Sequence, residues 1–113
     1  MRRRFLAAAL AAAACAVPAA AFGATAKRIQ VGDNYYGPTK VTVKRGTTVK
    51  WVWLADNTNS HDVKLDKAPK GAKKFHSASA ATDYTFSRKL TKPGTYSIVC
   101  TLHRHMTMTI RVR

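Results

Sequence analysis

The sequence predicts an all-β protein, a single small antiparallel β-sandwich. Three observations carry that prediction. After residue 39, apolar and polar residues alternate in short runs; turn signals such as Arg45-Gly46-Thr47 and Lys92-Pro93-Gly94 separate the runs; and no ten-residue segment keeps a helical period. Short strands joined by frequent turns in a chain of 113 residues bury their apolar faces by packing one sheet on another.

The elements follow in order. Lys40-Val41-Thr42-Val43-Lys44 alternates cleanly, and Arg45-Gly46-Thr47 turns the chain. In the next strand Val49, Trp51 and Trp53 share one face, while Lys50, Val52 and Leu54 share the other. A strand apolar on most of both faces belongs in the interior of a sheet. Asp56-Asn57-Thr58-Asn59-Ser60 is turn chemistry, and a short strand around Val63-Lys64-Leu65 follows it. Residues 67–74 hold four lysines without periodicity and predict an exposed loop. Tyr84 and Phe86 alternate with Thr85 and Ser87 in another strand. Lys92-Pro93-Gly94 then launches Thr95-Tyr96-Ser97-Ile98-Val99, which runs straight into Cys100. In the last strand Met106, Met108, Ile110 and Val112 face one way, opposite Thr107, Thr109 and Arg111.

Residues 1–26 read as something other than folded domain. Three arginines lead an alanine-rich apolar stretch that ends in Ala24-Thr25-Ala26, the small-x-small pattern of a signal-peptidase site. Arg2-Arg3-Arg4-Phe5-Leu6 also resembles a twin-arginine export signature, so both the general secretory and the twin-arginine routes fit. The stretch is too short and too weakly apolar for a stable membrane span, which takes about 20 strongly apolar residues. Residues 27–113 are then one exported domain, in a periplasm, secreted, or at a cell surface. Cys15 leaves with the leader, so the domain keeps Cys100 alone and forms no internal disulfide. A small exported domain that retains one thiol without a bridge either buries it inertly or uses it.

The net charge is +15, and +12 remains without Arg2, Arg3 and Arg4. Such a field favours acidic partners, anionic surfaces or nucleic acid. The export signal argues against nucleic acid, and no aromatic run interleaves the basic residues to stack bases. An acidic protein partner and a monomer are the expectation.

The chemistry concentrates in Val99-Cys100-Thr101-Leu102-His103-Arg104-His105-Met106-Thr107-Met108-Thr109. Cys100 ends one strand and Met106 begins the next, so residues 101–105 form a tight loop that can gather a thiolate, an imidazole and a thioether. Two imidazoles, one thiolate and a weak axial thioether are the ligands of copper electron-transfer sites, and His61 is placed to supply the second imidazole from a neighbouring loop.

Gly94-Thr95-Tyr96-x-x-x-Cys100-x-x-His103-x-x-Met106, with Val49-x-Trp51 and Ser60-His61-Asp62-Val63 before it, resembles the cupredoxins of the plastocyanin and amicyanin group. The resemblance covers nearly all of residues 27–113. It implies an eight-stranded Greek-key sandwich holding one type 1 copper ion, with His61, Cys100 and His103 as equatorial ligands and a methionine as axial ligand. Met106 is the expected axial residue and Met108 the alternative. Measured from Met106, the family's apolar-x-apolar finish falls on Ile110 and Val112; measured from Met108, it runs past Arg113. His105 is then exposed and unliganded, His76 an ordinary surface histidine, and Trp53 a core residue. Asp62 stands where many members carry an asparagine that ties the ligand loops together, and an ionised aspartate accepts hydrogen bonds but donates none. The implied function is one-electron transfer between Cu(II) and Cu(I), without catalysis. A copper carrier or resistance protein on the same fold, and a metal-free cationic interaction module, are the alternatives.

Overall fold

A computed structural model describes residues 25–113; residues 1–24 of the expected export signal, Cys15 among them, fall outside the described residues, while Ala26 already opens the first strand. Eight strands form two four-stranded sheets. They are β1 (Ala26–Gly32), β2 (Tyr35–Gly37), β3 (Lys40–Val43), β4 (Thr47–Trp53), β5 (Lys64–Lys67), β6 (Thr85–Leu90), β7 (Gly94–Val99) and β8 (Thr107–Val112). One sheet has the order β2-β1-β4-β6, the other β3-β8-β7-β5.

The all-β sandwich is as expected, and so is the interior place of the tryptophan strand β4. Alternation along β4 and β8 turns Val49, Trp51, Trp53, Met106, Met108, Ile110 and Val112 into the shared core with Ile29, Val31, Tyr96 and Ile98. β1 also carries a period-two signal, because Ile29 and Val31 are buried while Arg28 and Gln30 are exposed.

Four of the six strand pairings are antiparallel. The other two, β1 with β4 and β3 with β8, run parallel. Their cause is the connectivity: after the β1–β2 hairpin the chain crosses to the second sheet for β3, then returns to lay β4 beside β1 in the same direction. Parallel neighbours need a crossover of this kind, and here a strand of the opposite sheet supplies it.

The pairings define two ends. At one end lie the close of β1, β4 and β7 and the start of β2, β5, β6 and β8. The loops 33–34, 54–63, 76–84 and 100–106 therefore converge there. The opposite end carries the turns 44–46 and 91–93. Gly94 sits at this far end with φ of 136°, and an added Cβ would fall 2.5 Å from the Pro69 ring, so both backbone conformation and space require glycine.

Candidate metal centre

His61, Cys100 and His103 meet where those loops converge. Their ligand atoms all lie within 4.8 Å of one another. Nδ1 of His61 is 3.2 Å from Nδ1 of His103, and Sγ of Cys100 is 3.7 Å from the same His103 nitrogen. Two imidazole nitrogens 3.2 Å apart are spanned by one ion at the roughly 2 Å bond length that such nitrogens make to a first-row divalent metal. The donor set, soft thiolate with two imidazoles, suits copper. These three residues can hold one copper ion.

Each residue of the cluster is fixed by its own local structure. His61 is fully buried, and its backbone exchanges two hydrogen bonds with Ala80, 2.9 and 3.1 Å. The indole N–H of Trp53 donates to the His61 carbonyl at 3.1 Å, which makes this core tryptophan a clamp on the His61 loop. Cys100, 5% exposed, donates its amide to the Met106 carbonyl, and Met106 donates its own to the His103 carbonyl. These two bonds close residues 100–106 into a rigid turn with Met106 buried at its base. His103 alone of the three is half-buried, beside the half-exposed Leu102.

The two methionines occupy different layers of the same β8 face. Met108 pairs across the sheet with Ile98 in β7, and its sulfur accepts the Trp51 indole N–H at 3.4 Å. Met106 lies one step nearer the loop, bonded through its backbone to Cys100. His105 is exposed, as expected, and takes a left-handed conformation with φ of 71° that turns the loop.

Asp33 is a contributor that sequence reasoning did not single out. It stands in the β1–β2 turn, where Oδ1 lies 2.8 Å from Nε2 of His61 while Thr58 and Asn59 donate their amides to its two oxygens. The His61 hydrogen bond, then those amide bonds, hold its carboxyl well below the usual carboxylate range. An ionised carboxylate only accepts, so Nε2 of His61 carries the proton and Nδ1 presents its lone pair to the cluster. The only hint in the sequence was the Gly32-Asp33-Asn34 turn chemistry.

Asp62 stands between the two loops that carry the cluster. Its Oδ1 accepts the Thr101 amide at 2.7 Å and its Oδ2 accepts the Thr101 hydroxyl, which ties the His61 loop to the Cys100 loop. His76 approaches the same Oδ2 through Nε2 at 2.9 Å. His76 is thus exposed, as a surface residue should be, but it is also a partner of the loop tie. Burial pushes the Asp62 carboxyl up, and the bonds from His76 and Thr101 outweigh it and hold it below the ordinary value.

Both aspartates bind protons more weakly folded than unfolded. The stability they contribute is present above the ordinary aspartate value of 3.8 and is lost as pH falls through the lower folded values. Thermal unfolding of the metal-free protein should therefore show a melting temperature that drops on acidification below about pH 4. Asp62→Asn should flatten that acid limb, and an unchanged limb would remove Asp62 from the account.

Known proteins share this fold. The sequence model of the copper binding proteins of the plastocyanin/azurin family matches residues 24–113. Amicyanin from Paracoccus versutus is 28% identical and superposes with a TM-score of 0.66, over 86% of this chain and 90% of that one. A purple cupredoxin from Nitrosopumilus maritimus, 20% identical, shares the fold with a TM-score of 0.63 over 77% of this chain and 99% of its own. The copper-containing nitrite reductase of Thermus scotoductus matches at 25% identity and a TM-score of 0.69, over 92% of this chain but only 25% of that enzyme. With the family model matched from residue 24 to residue 113 and a His-Cys-His set gathered at one end of the sandwich, the chain belongs to the plastocyanin/azurin family of copper-binding proteins.

Proposed function

We propose that the protein is an exported one-electron carrier with a single type 1 copper ion held by His61, Cys100 and His103, with Met106 as the axial ligand. The observation that carries this reading is the closed, mostly buried ligand set, from which only His103 reaches the surface. When bound, copper supplies exchange between Cu(II) and Cu(I). The chain's part is to keep the ligands from rearranging: Asp33 fixes the His61 tautomer, Ala80 and Trp53 hold its backbone, and Asp62 locks its loop to that of Cys100. Rigid ligands keep the geometry similar in both oxidation states, which keeps the transfer barrier low.

Met106 is favoured over Met108 because the Met108 sulfur is already engaged by Trp51 in the layer beneath. The same facts favour an electron carrier over a copper-delivery protein, since His105 is exposed and Met108 lies in the core, so neither opens the ligand set further. Half-buried His103 and Leu102, 50% exposed, give a redox partner its shortest approach. That partner is inferred to be an acidic protein meeting a monomer, and residues 1–26 to be an export signal. No helix among the described residues is long and apolar enough to cross a membrane.

Titration of purified residues 27–113 with Cu(II) should give an intense blue thiolate-to-copper band that saturates at one equivalent and bleaches with a mild reductant. A colourless product would exclude the electron carrier.

A further inference from the structure

Charge is divided along the axis of the sandwich. Asp33, Asp56, Asp62 and Asp83 stand in the loops of the copper end, and Asp66 on the flank in β5. Seventeen lysines and arginines follow residue 26, and only Lys64 and Arg104 lie at the copper end. The rest occupy the flanks and the far end, with Lys44 and Arg45 in one turn, Lys92 in the other, and Lys73, Lys74 and Lys89 along a groove beside β6. Every one of them except Lys27 is exposed. Among the described residues both carboxylate ion pairs involve histidine, so no lysine or arginine is paired with a carboxylate.

This field has the wrong orientation to guide an acidic partner to His103 unaided, because it draws negative charge to the opposite half of the molecule. We infer that the cationic half docks on an anionic phospholipid surface and leaves the copper end facing away from it. Spread favours a bilayer over an acidic protein: Lys44, Arg45 and Lys92 stand in the far-end turns and Lys89 and Arg111 close beside them on the two sheets, so a broad anionic plane that meets this end faces cations of both sheets at once. Their chemistry favours it too. Most are lysines, flexible point charges that suit mobile headgroups, where arginine would suit fixed bidentate pairing. Each basic side chain within a Debye length of an anionic bilayer adds about fivefold to affinity. With the cationic half covered, the half that carries His103 and Leu102 stays open to a redox partner.

The docking needs no copper, so it is tested on the metal-free mature protein, and its failure would be separate from a failure to bind copper. Sedimentation with vesicles of equimolar phosphatidylglycerol and phosphatidylcholine should carry the protein down, less so as salt rises, and pure phosphatidylcholine should not. The double variant Lys73→Glu with Lys89→Glu should weaken binding at least about 20-fold. Lys64→Glu with Arg104→Glu, which lowers the net charge equally at the copper end, should bind nearly as the unaltered protein does. Lysine acetylation in the presence of vesicles should be slowed at Lys73 and Lys89 but not at Lys64. Equal loss in the two double variants, no binding to anionic vesicles, or binding to polyglutamate without binding to vesicles would each overturn the inference.

Discussion

Cys100→Ser should abolish the blue absorption completely while leaving the sandwich folded. A serine hydroxyl stays protonated where a thiol gives up its proton to a metal, so it supplies neither the soft anionic ligand nor the sulfur electrons whose transfer to Cu(II) gives the colour. The replacement is nearly isosteric, and the hydrogen bond from the residue 100 amide N–H to the Met106 carbonyl belongs to the backbone. Because Cys100 is buried, the new hydroxyl loses some of its hydration, at a cost of about 1–3 kcal/mol. Visible absorption after Cu(II) addition, read beside a melting curve, separates the two effects. Persistence of an intense blue band in the serine variant would remove Cys100 from the ligand set.

The methionines should respond in opposite ways. Met108→Ala empties a fully enclosed position and leaves the Trp51 indole N–H without its acceptor, so a loss of about 2–5 kcal/mol is expected. The spectrum should hardly move. Met106→Leu keeps the volume and should cost less than about 1.5 kcal/mol, yet it removes the thioether and should shift both the visible spectrum and the reduction potential. Chemical denaturation and a redox titration of each variant make the comparison. A spectral change in Met108→Ala larger than that in Met106→Leu would exchange the two roles.

The cluster of His61, Cys100 and His103 was legible in the sequence because the constraint on it is local. Cys100 and His103 lie within one turn, and His61 follows a run of turn residues that had to sit at a sheet end. The fold class was legible for the same reason, since alternation along β4 and β8 states directly which side chains face inward. What alternation does not state is which strand lies beside which, or in what direction. The parallel alignment of β1 with β4 is a product of chain crossing, and it is this alignment that carries Asp33 to the end of β4, 28 residues from its histidine in sequence. His76 escaped for a related reason: its bond to Asp62 depends on how the long β5–β6 loop folds back across Leu65 and Val63, where Leu65 donates to the Phe75 carbonyl and Ser77 to the Val63 carbonyl. Asp62 was legible as a departure from the family, but not its remedy, because the donors that satisfy it come from Thr101 and His76 rather than from its own side chain.

Both ends of the described chain emerge from the same side of the molecule. The Thr25 carbonyl accepts the Thr48 amide at the start of β4, and Arg113 is hydrogen-bonded to Val43 and Arg45 beside the far-end turn. Anything grafted beside Thr25 or Arg113, whether a linker to gold, a resin or a fused enzyme, therefore holds the candidate metal centre across the length of a seven-residue strand, roughly 20 Å from the attachment. If the protein carries electrons as proposed, wiring it to an electrode there would give slow exchange. An anchor beside Leu102 would bring the His-Cys-His cluster to the conductor.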